Sequence, residues 1–86
     1  MKVYFGKSFD KKYLKLPSNI RQKAIERIAL FSVHPFDPIL NNHALSGEYK
    51  GYRSINITGD LRALYEPISK ERAFFISIDS HSNLYK

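Results

Sequence analysis

Apolar residues recur at helical intervals in the first third of the chain and switch to alternation in the second half. Val3, Tyr4 and Phe5 form a short β-prone run that Gly6 stops, and Ser8 offers a capping oxygen to a following turn of helix. Phe9, Tyr13 and Leu16 then recur at helical spacing. Asp10, Lys11, Lys12 and Lys15 lie between them, so this short helix has one apolar side and one basic, solvated side. Pro17 ends it and Ser18 caps the next helix. Ile20, Ala24, Ile28 and Phe31 draw a stripe along one face of a helix of roughly four turns, with Arg21, Gln22, Lys23, Glu26 and Arg27 on the other. His34-Pro35 terminates that helix, because the residue before a proline is pushed out of the helical region.

Residues 34–42, HPFDPILNN, carry two prolines and two asparagines and predict an irregular connector. After Gly51 the period becomes two. Arg53, Ile55 and Ile57 alternate with Tyr52, Ser54 and Asn56, and after a Thr58-Gly59-Asp60 turn Leu61, Ala63 and Tyr65 alternate with Arg62, Leu64 and Glu66. The short turn makes these two strands an antiparallel hairpin. Residues 67–71 predict a polar loop, and residues 73–79, the most apolar run, predict a strand buried inside a sheet. The order predicts an α+β domain over residues 1–86, with two N-terminal helices packed on one face of a curved, mainly antiparallel sheet of four to five strands. The other face stays open. If Leu61, Ala63 and Tyr65 face the helices, Arg62 and Leu64 face outward, with Asn56, Ser54 and Tyr52 beside them across the hairpin.

Composition narrows what that open face meets. Fourteen Lys and Arg against eight Asp and Glu give +6 in 86 residues. Such a balance favours polyanions, with nucleic acid ahead of an acidic protein. There is no cysteine, which excludes a disulfide framework, a thiolate metal site and a cysteine nucleophile. His34, His43 and His81 lack the close pairing of a helical zinc motif, so no metal is expected. No apolar run reaches the ~18 residues of a membrane span, and a cytoplasmic protein is the expectation.

A basic chain with Arg, His, Asn and Tyr on an open sheet face suggests RNA cleavage by transesterification. That chemistry asks for a base, an acid and a cation for the charge on the phosphoryl oxygens, and no cofactor. His43 and His81 are the candidate proton-transfer groups, Arg62 is the natural phosphate clamp, and Tyr85 is placed to stack on a base or donate a proton. Each has a plainer reading. A loop histidine commonly caps a turn, Arg62 has Glu66 as an ion-pair partner along the same strand, and Asp60 is an ordinary turn residue. Tyr85 has the core edge to seal. His34 suits the exposed carbonyls of a helix C-terminus.

More specific signals lie in residues 42–85. Asn42-His43-Ala44-Leu45-Ser46-Gly47, Lys50-Gly51-Tyr52-Arg53, the strand Asp60-Leu61-Arg62-Ala63-Leu64-Tyr65 and the end Ser80-His81-Ser82-Asn83-Leu84-Tyr85 together resemble the RelE/ParE superfamily of toxins, on its YafQ-like side. The resemblance implies a RelE-like fold and the toxin of a type II toxin-antitoxin pair. Such a toxin is an endoribonuclease that cuts mRNA on the ribosome without a metal or small-molecule cofactor, and a cognate acidic antitoxin covers it. It implies catalytic or RNA-contacting roles for His43, Asp60, Arg62, His81 and Tyr85, and substrate contacts for Lys50, Arg53 and Asn56. Three positions depart from the family pattern. Asn56 replaces a histidine, Leu61 an aromatic and Ser77 an arginine. The alternative on the same fold is a non-cleaving toxin, gyrase-directed or catalytically lapsed, that acts by binding protein.

Overall fold

The computed structural model describes residues 1–84. Strand β1 (Lys2–Phe5) leads through Gly6 into helix α1 (Lys7–Leu14), and α2 (Ser18–Val33) follows. A connector with a 3-10 turn at Pro38–Leu40 reaches β2 (His43–Ala44). After a second such turn at Gly47–Tyr49 come β3 (Arg53–Asn56), β4 (Leu61–Ser69), β5 (Arg72–Ser80) and the short helix α3 (His81–Leu84). The strands form one sheet in the order β1-β5-β4-β3-β2. All pairs are antiparallel except β1 with β5. The α+β fold expected from the sequence is the fold observed.

The helical stripe is buried as its spacing predicts, with Ala24, Ile28 and Phe31 packed against Ile55, Ala63, Tyr65, Ala73, Phe75 and Ile78 of the sheet. Phe75 sits among rings. The centroids of Phe31 and Tyr65 each lie 5.3 Å from its own, and those of Phe5 and Phe9 at 5.8 and 5.9 Å. A run such as residues 73–79 reads as a buried strand because β5 has a neighbour on each side, β1 and β4.

Several boundaries differ from the pattern. Ser8 lies inside α1 and Ser18 is the first residue of α2, whose cap positions are Gly6 and Pro17 and carry no side-chain bond. Helix α1 stops at Leu14, before Pro17 forces it to. The predicted loop at 67–71 is mostly strand, since β4 runs through Pro67 to Ser69. Pairing with β3 ends at Tyr65, so one side of β4 is unoccupied there and a residue without an N–H is tolerated. The connector also adds an edge strand at His43–Ala44 that two residues are too short to announce.

The face away from α2 is only partly open. Leu64 and Ser54, cross-strand partners on that side, are both 0% exposed. Helix α3 folds back against β5, with Leu84 buried. Leu64, expected to face outward into solvent, is therefore outward and covered.

Candidate functional site

Sheet register arranges the predicted residues in rows. His43, Ser54, Leu64 and Ser77 are successive cross-strand partners from β2 to β5. Two residues further along on the same face, Asn56, Arg62 and Asp79 form a second row. Beyond it, at the same end of the sheet, the His81 backbone N–H donates to the Asp60 carbonyl at 2.8 Å, which ties the β3–β4 turn to the start of α3. Asp60, Arg62 and His81 are thereby brought to one corner.

Arg62 is anchored on one side only. Its Nη1 donates to the carbonyls of Thr58, Gly59 and Leu61 at 3.1, 3.2 and 3.3 Å. Among the described residues no bond engages Nε or Nη2, the side-on fork that matches two oxygens of a phosphate. The Glu66 pairing weighed from the sequence is not made. Among the described residues the one salt bridge joins Lys12 Nζ to Asp79 Oδ2 at 3.1 Å, and the same nitrogen donates to Ser77 Oγ at 3.2 Å.

Lys12 thus leaves the solvated helix face on which its spacing put it. Helix α1 packs along β5, and its lysine reaches the sheet face beside Arg62. The neighbouring strand could not be read from a helical wheel, so nothing in the sequence flagged this residue. Asp79 Oδ1 accepts from the Ser80 N–H at 2.8 Å and from Asn83 Nδ2 at 3.0 Å. Partial burial raises the Asp79 pKa. The bonds from Asn83 and Ser80, followed by the bond and charge of Lys12, outweigh it and hold the carboxyl below its ordinary value.

His43 stands on the edge strand with Nδ1 2.8 Å from the Asn41 carbonyl. A carbonyl only accepts, so Nδ1 is the donor in this bond and Nε2 is the nitrogen left for other partners. Asn41 adopts φ 44°, and that left-handed turn presents the carbonyl to the ring. His43 is three strands from the β5 end that carries His81, roughly 14 Å across the sheet. The two histidines do not flank a single point.

Arg53 is occupied elsewhere. Its Nε donates to Asn42 Oδ1 at 2.8 Å, Asn42 Nδ2 donates to the Tyr65 hydroxyl at 2.8 Å, and the guanidinium carbon lies 5.3 Å from the centre of the Phe36 ring. Tyr65 is its cross-strand partner, which puts Arg53 on the helix side of the sheet. Lys50 is exposed at the end of the second 3-10 turn, apart from both rows. Asn56 lies in the Arg62 row, with its Oδ1 buried and unpartnered among the described residues, as is Ser54 Oγ. Tyr85 lies outside the described residues.

Among the described residues no cluster of His, Asp and Glu is placed to hold a metal ion, and no helix is long and apolar enough to cross a membrane. No family model and no curated protein matches the sequence. Solved structures do match. The YoeB/ParE toxin from Agrobacterium tumefaciens is 25% identical, with a TM-score of 0.76 over 94% of this chain and 99% of that one. YafQ from E. coli strain BL21(DE3) gives 0.77 at 19% identity over 99% and 98%. The YoeB-YefM complex from Staphylococcus aureus gives 0.75 at 16% over 94% and 97%. The last two share the fold. The first of them, a YoeB/ParE toxin, bears out the resemblance to the RelE/ParE superfamily.

Proposed function

We propose that this chain, built on the fold of the RelE/ParE toxins, is the toxin of a type II toxin-antitoxin pair and an endoribonuclease that cleaves mRNA on the ribosome. The observation that carries the reading is the Arg62 fork, which is open on a sheet face at a corner shared with Asp60 and His81. In the cleavage the 2′-oxygen attacks the adjacent phosphorus as its proton passes to a base, the P–O5′ bond breaks, and the leaving oxygen takes a proton. Arg62 grips the phosphoryl oxygens and offsets their growing charge, a stabilisation that is strongest in the transition state. His81, at the same corner, is the proton-transfer group nearest that phosphate. His43, three strands away with Nε2 open, orients a flanking nucleotide, and Asp60 holds the turn on which Arg62 is anchored. Asn56 and Lys50 contact the RNA on either side. Arg53 supports the sheet from behind, and Tyr85 stacks at the scissile base.

The partner is a cognate acidic antitoxin, as YefM partners YoeB in the Staphylococcus aureus complex, and the working site is the cytoplasmic ribosome with its mRNA. Charge supports this: a +6 surface attracts ribosomal RNA and an acidic antitoxin alike. The test is to add the purified chain to a translating extract and map mRNA ends. Cleavage that His81→Ala and Arg62→Ala strongly reduce is expected. Intact message at stoichiometric wild-type protein would overturn the reading and leave the non-cleaving, protein-binding toxin, whose support is the absence of ring groups at Asn56 and Leu61.

A further inference from the structure

Arg62 and Asp79 are direct cross-strand partners on one face of the sheet. Side chains so placed have Cβ atoms about 5 Å apart, and opposite charges there attract. A free carboxylate opposite an arginine is the strongest competitor a phosphate could meet, because it offers the same two-oxygen acceptor to the same fork. Yet the two are not joined in the structure. Asp79 is filled by others: Oδ2 by Lys12, Oδ1 by the Ser80 N–H and Asn83 Nδ2. Arg62 meanwhile turns Nη1 to the β3–β4 turn and keeps Nε and Nη2 without a partner among the described residues.

We propose that Lys12 and Asp79 form a charge-compensating pair whose work is to keep the Arg62 fork available to a phosphodiester. Lys12 comes from α1, far along the chain from either strand, and is held at two points, Asp79 and Ser77. That second hydrogen bond fixes the ammonium over β5, where it offsets the carboxylate. Lys12 and Asp79 are positioning residues in this scheme, acting through Arg62 and touching no substrate. The inference rests on the nuclease reading for its biological meaning, and its physical content stands without it.

The experiment follows the Arg62 Nε–H resonance of the full chain by NMR in wild type, Lys12→Met, Asp79→Asn, the double variant and Lys11→Met. A 2′-O-methyl RNA oligonucleotide, which has no free 2′-hydroxyl to attack, is then titrated into each. In Lys12→Met the released carboxylate captures the guanidinium, so the resonance shifts and oligonucleotide affinity falls on the order of three- to tenfold. Adding Asp79→Asn removes the competitor, and both readouts return to within about twofold of wild type. Lys11→Met, which removes the same charge from the same helix, moves neither by as much. An unshifted Arg62 resonance in Lys12→Met, or a double variant as weak as Lys12→Met, overturns the proposal. The second result would make Lys12 a direct phosphate ligand instead. Failure of the nuclease reading shows separately, as intact mRNA in the extract with the Arg62 resonance still responding to Lys12→Met.

Discussion

At the scale of single residues, two arginines of the same hairpin have opposite work. Arg62 keeps its fork open on the outer face, whereas Arg53 bridges Asn42 and lies over Phe36 on the inner one. Replacing Arg62 by alanine should lower cleavage by roughly two orders of magnitude at saturating ribosomes, the usual effect of removing one transition-state donor. Thermal melting should barely change. Arg53→Ala should do the reverse. It strands Asn42 Oδ1 and removes the ring contact, for a loss of about 1–3 kcal/mol in denaturant unfolding with cleavage preserved in the folded fraction. Asp79 carries a pH signature. Its folded pKa lies below the unfolded value, so its contribution is present above the unfolded pKa and disappears as pH falls through the folded one. Urea midpoints taken on the acid side of the ordinary carboxylate range should fall for wild type and be flatter for Asp79→Asn. The size stays within about 1 kcal/mol, since the pair is half-exposed.

At the scale of elements, adjacent positions on β5 separate the core from the surface. Phe75 is enclosed by four rings, while Phe74, its neighbour on the opposite face, is half-buried with its ring against Gly6. Phe75→Ala should cost about 3–5 kcal/mol, a large part of the stability of a domain this size, and Phe74→Ala much less. Chemical denaturation of the two variants distinguishes them. Gly6 has a related constraint. A β-carbon there would stand 2.8 Å from the Phe74 ring, so the β1–α1 junction takes a side chain only if that ring moves. Elements with a strong period were readable from the sequence: α2 with its Ala24, Ile28 and Phe31 stripe, the β3–β4 hairpin, and β5. Boundaries set by long-range pairing were not. Pro67 reads as a strand breaker, yet it sits in β4 because β3 has already ended beside it.

At the scale of the whole molecule, the charge divides by location. Lys11 and Lys23 on the helices and Lys15 at the end of α1 supply general attraction to polyanions. Neutralising them should weaken ribosome binding with a shallower salt dependence and leave cleavage unchanged at saturation, measured by binding isotherms across salt concentrations. Lys12 belongs to the same stripe in sequence and leaves that group in three dimensions.

The sequence by itself determined the class of fold, the inner and outer faces of the hairpin, the basic charge and the segments that resemble RelE/ParE toxins. Period, turn chemistry and short motifs are local, and local patterns survive in one dimension. Tertiary structure decided what happens where distant segments meet. Packing α1 along β5 turned a solvated lysine into the partner of Asp79, and the sheet register set Arg62 opposite that carboxylate. The two strands between β2, which carries His43, and β5, which leads to His81, gave the histidines different neighbours. The Lys12 bonds span 65 and 67 residues of chain, fixed by how apolar faces pack rather than by any spacing along it.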